Sequence, residues 1–172
     1  MTTWLIVDGY NMIGQWPALS GDGSRSLEEA RDDLNARLDE YGALSGWRVL
    51  VVYDGYRVKG NAGTTRRFPY LEIIYTPEGV TADMAIERLA AQLPKRSHFY
   101  VASGDRLIQE TVLSLGGLRM TGTELRQAIA DARVKAHRLI HKEVPRSTLD
   151  GRIDPEVRSQ LEKLIKEDDR PS

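Results

Sequence analysis

Five short apolar runs constrain the fold of this chain more than any other feature of its sequence. They read WLIV at residues 4–7, VLVVY at 49–53, LEIIY at 71–75, FYVAS at 99–103 and LRM at 118–120. Most are continuous rather than alternating, which is typical of strands that are buried on both faces in a parallel sheet. Parallel strands need crossover connections, and the segments between these runs carry helical patterns.

Capping and stop residues mark where those helices begin and end. Ser26 followed by Glu29 predicts a capping box, and Thr81 with Pro94 brackets a second helix. Similar signals predict a third helix from about Asp105 to the glycines at 116–117, a fourth from about Thr123 toward Val144, and a last one opening with Asp154 and Pro155. The sequence therefore predicts an α/β fold, a three-layer sandwich whose roughly five-stranded parallel sheet is flanked by helices.

The domain organisation follows from these elements. We expect residues 1–145 to form one domain and residues 146–172 to add a C-terminal helix, either packed on that domain or extending from it. One connection, YRVKGNAGTTRRFPY at 56–70, is longer than the others and is expected to be a basic loop.

Composition excludes several classes of protein. With 24 basic and 25 acidic residues, any nucleic-acid surface must be a local patch. The chain has no cysteine, which excludes disulfides, thiolate metal sites and cysteine nucleophiles. No apolar run reaches the ~20 residues that span a bilayer and no signal peptide is evident, so we expect a cytoplasmic protein without a membrane partner. The glycine-rich phosphate-binding patterns are missing, so no nucleotide cofactor is expected.

Four acids stand where the predicted strands end or the following helices begin. Asp8 and Asp54 follow the first two strands, Asp83 lies in the first turn of a helix, and Asp105 follows the FYVAS strand. Each alone is explained as well by an Asp-Gly turn or by a favourable helix N-terminus. Because parallel strands end at the same edge of a sheet, we expect the four carboxylates to converge there. Clustered carboxylates suit Mg²⁺ or Mn²⁺, which supports phosphodiester hydrolysis.

Three further residues have open interpretations. Asn11, on the expected loop after the first strand, could hold a water, a phosphate or the Asp8 carboxylate, or could form an Asx-turn. Glu87 is one helical turn after Asp83, so it is either a fifth acid or an exposed helical residue. Ser103 could donate to a phosphate, but capping of the next helix is favoured.

Basic residues cluster in two places. Residues 126–146 contain six Lys or Arg against two acids, together with His137 and His141. A solvated helix face explains this run, and without a third ligand the two histidines do not predict zinc. With the loop at 56–70, however, it could grip a polyanion. Tyr10, Trp16, Tyr56 and Phe68 either stack on unpaired bases or pack in the core.

The motifs VDGYNMIG, VVYDGY, TADMAIERL and VASGDRLIQETVLSLGG occur in this order at the ends of the predicted elements. Together they resemble the YacP-like NYN-domain proteins of the wider PIN-like nuclease group. The resemblance implies a metal-dependent endoribonuclease fold, a bacterial cytoplasm or a plastid-type stroma, and a link to mRNA decay through ribosome-associated endonucleases.

Residue by residue, the resemblance implies that Asp8, Asp83 and Asp105 hold Mg²⁺ or Mn²⁺. Asn11, Asp54 and Glu87 would complete the catalytic set. The residues expected to contact single-stranded RNA, mRNA or the ribosome are Arg57, Lys59, Arg66, Arg67, Ser103, Arg133 and Lys135. The expected function is a metal-dependent endoribonuclease. The alternative is a non-catalytic RNA- or ribosome-binding module on the same scaffold, and a small-molecule phosphohydrolase fits the basic residues less well.

Overall fold

The apolar runs form a central sheet in a computed structural model of the protein, which describes residues 1–56, 59–143 and Ser159. The strands of this part are β1 (Thr3–Asp8), β2 (Arg48–Tyr53), β3 (Thr64–Arg67), β4 (Leu71–Tyr75), β5 (His98–Ala102) and β6 (Leu118–Met120). Its helices are α1 (Gly9–Gln15), α2 (Pro17–Ser20), α3 (Leu27–Ser45), α4 (Ala82–Gln92), α5 (Arg106–Ser114) and α6 (Gly122–Glu143). The chain divides into two compact units, Met1–Ala136 and His137–Ser172.

The sheet lies in the first unit, and its strand order is β3-β4-β2-β1-β5-β6. The five predicted strands are all present and pair in parallel. The predicted fold class is confirmed, but the expectation that residues 56–70 form only a basic loop is wrong. Thr64–Arg67 of that loop forms the edge strand β3, which pairs antiparallel with β4. All four side chains of β3 are exposed, so the sequence contains no apolar pattern that would reveal this strand.

Helices cover both faces of the sheet and confirm the three-layer arrangement. One face packs its apolar side chains against α1, α2, α3 and the first turns of α6, in a core that includes Leu5, Leu34 and Leu125. The other face packs against α4 and α5 around Ile6, Ile86 and Ile108. Burial on both faces is the reason that the strands are continuously apolar.

The predicted helix boundaries of this unit are confirmed. At the start of α3 the Glu29 amide donates to Ser26 Oγ at 3.1 Å, and the Ser26 amide donates to the Glu29 carboxylate at 2.9 Å. This reciprocal pair is the expected capping box. Thr81 caps α4 by accepting from the Met84 amide at 3.2 Å.

The interpretation of Asp8-Gly9 as a turn, with Asn11 on a loop, is wrong because α1 begins at Gly9. A Cβ atom at Gly9 would lie 2.3 Å from Cε1 of Tyr53, and one at Gly55 would lie 2.2 Å from the Thr76 carbonyl oxygen. Neither glycine has a positive φ. Both are therefore required by close packing at the ends of β1 and β2 rather than by a turn conformation.

The strand order places a crevice at the end of β1. The chain runs from β1 outward to β2 and β4 on one side, and then returns to β5 and β6 on the other. Strand order thus reverses at β1, and in open α/β sheets this is where ligands bind, beyond the carboxyl ends of the strands. Asp8 is the last residue of β1 and lies at this point.

The second unit is described only at His137–Glu143 and Ser159. His137 and His141 lie one turn apart on the end of α6, with their Nε2 atoms 3.0 Å from each other. The predicted C-terminal helix opening at Asp154, and the segment 146–172 as a whole, fall outside the described residues apart from Ser159, which is helical. Among the helices of the described ranges, none combines the length and apolar character needed to cross a bilayer.

Candidate active site

Four carboxylates meet at the carboxyl edge of the sheet, and we call Asp8, Asp54, Asp83 and Asp105 the acid cluster. Asp8 ends β1, Asp54 directly follows β2, Asp83 lies in the first turn of α4, and Asp105 is the N-cap of α5. They are close enough that the charges of the other three all act on Asp8. The structure therefore brings together the four acids that the sequence placed at this edge.

Asp8 is the buried member of the acid cluster. It is 9% exposed, and its side chain makes no capping hydrogen bond of standard geometry with α1. The pKa of Asp8 is raised to about 6. Burial is the largest cause, the backbone N–H of Asn11 opposes it, and the charges of Asp83, Asp54 and Asp105 reinforce it. A carboxyl group with this pKa is largely ionised near neutral pH, where its buried charge is unfavourable unless a cation joins it.

Asp83 and Asp105 form the second part of the acid cluster. Burial raises the pKa of Asp83 first, followed by the charge of Asp105, a hydrogen bond between the two carboxyl groups, and the charge of Asp54. A hydrogen bond between two carboxyls requires a proton on one of them. Asp105 also accepts from the Leu107 amide at 2.8 Å, so its orientation is fixed by its role as helix cap.

Asp54 connects two elements of the site. Its Oδ1 accepts from the Tyr56 amide at 2.8 Å, and its Oδ2 accepts from the Ala82 amide at 3.2 Å. Both oxygens are thus used by backbone donors, one of which belongs to the first turn of α4. Asp54 therefore holds Asp83 in position relative to β2.

Asn11 links α1 to the loop after β5. Its Oδ1 accepts from the Gly104 amide at 2.8 Å and from Gln15 Nε2 at 2.7 Å. The contact differs from both the Asx-turn and the expected loop position. Because the amide oxygen faces Gly104 and Gln15, the Nδ2 donors are directed elsewhere and can serve a phosphate or a water.

Ser103 and Glu87 lie beside the acid cluster. Ser103 is fully buried, and its Oγ accepts from the Asp105 amide at 3.1 Å. The favoured interpretation of Ser103 as the helix cap is wrong, since Asp105 caps α5 and Ser103 shapes the turn before it. Glu87 is exposed and, with Asp83, lines one end of an apolar groove of about 190 Å³ between α4 and α5. Its charge is not among those that shift the pKa of Asp8 or Asp83.

Of the basic residues predicted to contact RNA or the ribosome, some are exposed and others contact a neighbouring side chain. Arg66 and Arg67 project from β3, where the Arg66 guanidinium lies 5.9 Å from the Phe68 ring centroid and Arg67 Nε lies 3.4 Å from a Glu72 carboxylate oxygen. Lys59 and Lys135 are exposed, and Arg57 falls outside the described residues.

Arg133 is engaged in a contact that the sequence did not predict. Its Nε donates to the Glu40 carboxylate of α3 at 2.7 Å. The RNA- or ribosome-binding role of Arg133 stays a prediction, and RNA would have to compete with Glu40 for this guanidinium.

Tyr10 joins two further aromatic side chains beside the acid cluster, Tyr53 and Tyr75, which sequence reasoning missed. The Tyr10 and Tyr53 ring centroids are 5.1 Å apart, and those of Tyr53 and Tyr75 are 5.2 Å apart. Arg31 of α3 lies over the Tyr75 ring, 5.8 Å from its centroid. Only the pairing of Tyr53 with Tyr75 in neighbouring strands brings these residues together, and no sequence motif reports that register. Trp16 belongs to the core instead, where its Nε1 donates to the Gly122 carbonyl at 3.0 Å.

The donor chemistry of the acid cluster fits a divalent cation. Its side chains offer only carboxylate oxygens, which Mg²⁺ and Mn²⁺ prefer, and a cation would relieve the repulsion that raises the pKa values of Asp8 and Asp83. Within the described ranges, no three His, Cys, Asp or Glu side chains are already arranged around a single ion position.

Comparison with known proteins agrees with this fold. The model of the YacP-like NYN domain matches residues 5–166. The uncharacterized protein YacP of Bacillus subtilis (strain 168) is 39% identical over 141 residues, which cover 80% of this chain and 81% of that protein. The fold is similar to a crystal structure of Rae1 (YacP) from Bacillus subtilis carrying a tryptophan-to-leucine mutation, with a TM-score of 0.69, 34% identity and 87% of both chains covered.

A second crystal structure of Rae1 (YacP) from Bacillus subtilis has a TM-score of 0.66 to this chain, with 36% identity and 95% of both chains covered. The match in sequence and the match in fold extend over most of each protein. The chain belongs to the YacP-like NYN domain family, and its fold is that of a PIN-like nuclease.

Proposed function

We propose that this protein is a Mg²⁺- or Mn²⁺-dependent endoribonuclease that cleaves single-stranded RNA, in particular mRNA, in association with the ribosome. The observation that carries the proposal is the convergence of Asp8, Asp83 and Asp105 at the point where strand order reverses. The raised pKa of Asp8 supports the proposal. The ionised form of a buried acid surrounded by other acids is unfavourable, and a cation bound among them would stabilise it. Asp8, Asp83 and Asp105 are the residues that would hold the metal.

A bound divalent cation would supply the charge that activates water and stabilises the leaving oxygen of the phosphodiester. The protein's own residues would position the reacting groups. Asp54 fixes the start of α4, and thereby Asp83, through its bond with the Ala82 amide. Asn11 would offer its Nδ2 donors to a phosphate or a water, while Gly104 and Gln15 hold its oxygen. In-line hydrolysis at such a site would leave a 5′-phosphate and a 3′-hydroxyl.

The position of the basic residues favours RNA over a small phosphorylated substrate. Arg66 and Arg67 lie on the edge strand β3, which two strands, β4 and β2, separate from β1 in the sheet order. An extended polyanion can reach both the edge strand and the acid cluster, whereas a small phosphate ester cannot. Glu87, which with Asp83 lines the groove between α4 and α5, would orient metal ligands or waters rather than contact the phosphates.

The test is cleavage of a labelled single-stranded RNA with Mn²⁺ or Mg²⁺ and with EDTA, on free RNA and on translating ribosome complexes. Asp8→Asn and Asp83→Asn should each lose cleavage by about 100-fold or more, since residues that only orient metal ligands already contribute 10- to 100-fold. Glu110→Gln removes the same charge from an exposed position of α5 and should cleave like wild type. Full cleavage by both Asp variants would refute the proposal.

A non-catalytic RNA- or ribosome-binding module remains a second candidate for one specific reason. In the described part of the chain, the acids do not already surround one ion position. This candidate predicts RNA or ribosome binding that is unaffected by Asp8→Asn and Asp83→Asn, and no metal-dependent cleavage on either free RNA or translating complexes.

A further inference from the structure

We infer that Arg31 binds a backbone phosphate of the single-stranded RNA, on the α3 side of the acid cluster. The inference rests on the proposed function and adds to it the direction in which the RNA leaves the site.

Arg31 is held in place by neutral partners. Its Nη1 donates to the Tyr10 hydroxyl at 3.0 Å, and its guanidinium carbon lies 5.8 Å from the Tyr75 ring centroid. Tyr53 lies between these two tyrosines and contacts both rings. The Arg31 side chain is partly buried, so the three tyrosines fix its orientation.

Arg31 forms no close ion pair in the described ranges, and the charge of Glu28, three residues earlier on α3, acts on it without such a contact. The ion pairs found there involve Arg25, Arg37, Arg67 and Arg133, and none includes Arg31. Arg37 of the same helix shows the contrast, because its Nε lies 2.7 Å from Asp33. A guanidinium has five N–H donors, and the Tyr10 hydroxyl accepts from one nitrogen only. A fixed, partly desolvated cation with unused donors is suited to an anion from outside the protein.

The position of Arg31 identifies that anion as RNA. Tyr10 follows Asp8 by two residues, and Tyr53 directly precedes Asp54. Two of the three tyrosines are therefore close in sequence to members of the acid cluster. On the far side, Arg66 of β3 is near enough for its charge to act on the Tyr75 hydroxyl. Arg31 thus contacts Tyr10, which is close in sequence to Asp8, and Tyr75, on which the charge of Arg66 acts. The charge of Asp32 also acts on Tyr53 and Tyr75, so the surface is mixed rather than purely cationic. Alternating cations and aromatic rings are the surface that single-stranded nucleic acids contact.

Fluorescence anisotropy with a labelled single-stranded RNA, in EDTA and over a range of salt concentrations, tests this assignment on the full chain. Arg31→Gln should weaken binding roughly 10-fold, the scale of a lost charge-assisted hydrogen bond. It should also reduce the slope of log K against log salt by about 0.7, the value for one phosphate contact on a single strand. Arg37→Gln removes the same charge from α3 and should leave the slope unchanged.

Arg31→Lys provides a second measurement that does not depend on the folding of Arg31→Gln. It keeps the charge and loses the planar fork, so the slope should stay near wild type while affinity falls. In the Mn²⁺-dependent cleavage assay, Arg31→Gln should raise KM and leave kcat near wild type.

The outcomes separate this inference from the proposed function. If wild type binds and cleaves RNA, and Arg31→Gln matches Arg37→Gln in slope and KM, the Arg31 assignment is overturned and the proposed function stands. A purely structural role for Arg31 would lower the thermal stability of both Arg31 variants without changing the slope, which also overturns it. If wild type neither binds nor cleaves RNA, whether the RNA is free or in translating complexes, both the Arg31 assignment and the proposed function are overturned.

Discussion

Replacing Asp8 by Asn should make the metal-free protein more stable at neutral pH. The reason is the pKa of Asp8, which burial and the neighbouring acids raise from 3.8 to about 6. At about 1.4 kcal/mol for each tenfold change in proton affinity, this rise corresponds to about 3 kcal/mol. Because the native state holds the proton more tightly than the unfolded state, this free energy of unfolding is lost as pH rises from about 4 through 6. Asn carries no charge and avoids the loss.

The expected gain for Asp8→Asn is about 1–3 kcal/mol at pH 7.5, with about 3 kcal/mol as the upper limit because the surroundings can relax around the charge. In a chain of this size such a gain raises the unfolding midpoint by about 3–10 °C. Near pH 4, Asp8 is protonated in the native state and only about half ionised in the unfolded state, so variant and wild type should differ by less than about 1 kcal/mol. The measurement is thermal or urea unfolding between pH 4 and 8, with EDTA present throughout.

Glu110→Gln is the matched control, because it removes one carboxylate from an exposed position of α5. It should follow the wild-type dependence of stability on pH. If Asp8→Asn shows the same dependence of stability on pH as Glu110→Gln, or no gain in stability at pH 7.5, then the charge of Asp8 does not destabilise the metal-free native state. The electrostatic reason for expecting a cation would then fail.

Two further predictions follow from the same region. Mg²⁺ or Mn²⁺ at millimolar concentration should raise the unfolding midpoint of wild type, and should have little effect on Asp83→Asn. The increase should be larger at pH 7.5 than at pH 5.5, because protons compete with the metal for the carboxylates. Calorimetry of Mn²⁺ binding checks this, and equal binding by Asp83→Asn would contradict it. Gly9→Ala should lower the free energy of unfolding in urea by about 1–3 kcal/mol, because its new Cβ would lie 2.3 Å from the Tyr53 ring. Gly14→Ala, on the same helix but with open space around it, should raise this free energy by up to about 1 kcal/mol. Similar effects of the two substitutions would show that Gly9 is not a packing position.

The elements that the sequence predicted correctly have a signal in neighbouring residues. Continuous apolar runs predict doubly covered strands, and pairs such as Ser26 with Glu29 report a helix start within four residues. The convergence of the acids was predictable for the same reason, because parallel strands place their carboxyl ends at one edge whatever the details of packing.

The features that the sequence did not predict depend on contacts between distant residues. β3 exposes all of its side chains, and only pairing with β4 reveals it as a strand. The Arg133–Glu40 pair and the Asn11–Gly104 bond each join residues 93 positions apart. Arg31 looks like any other charged residue of an amphipathic helix until Tyr53 and Tyr75 are known to be neighbours. Strand register and side-chain orientation determine these contacts, and a local sequence pattern predicts neither of them.

The edge strand β3 has a consequence for how the protein behaves at high concentration. An exposed edge carries unpaired backbone groups that can pair with a strand of another molecule, and charged side chains discourage such pairing. Arg66 and Arg67 of β3 are both exposed. The arginines proposed to contact RNA therefore also protect this edge against self-association. Neutral substitution of both would weaken RNA binding and promote aggregation together, whereas exchange of both for lysine would preserve solubility and isolate the effect on RNA.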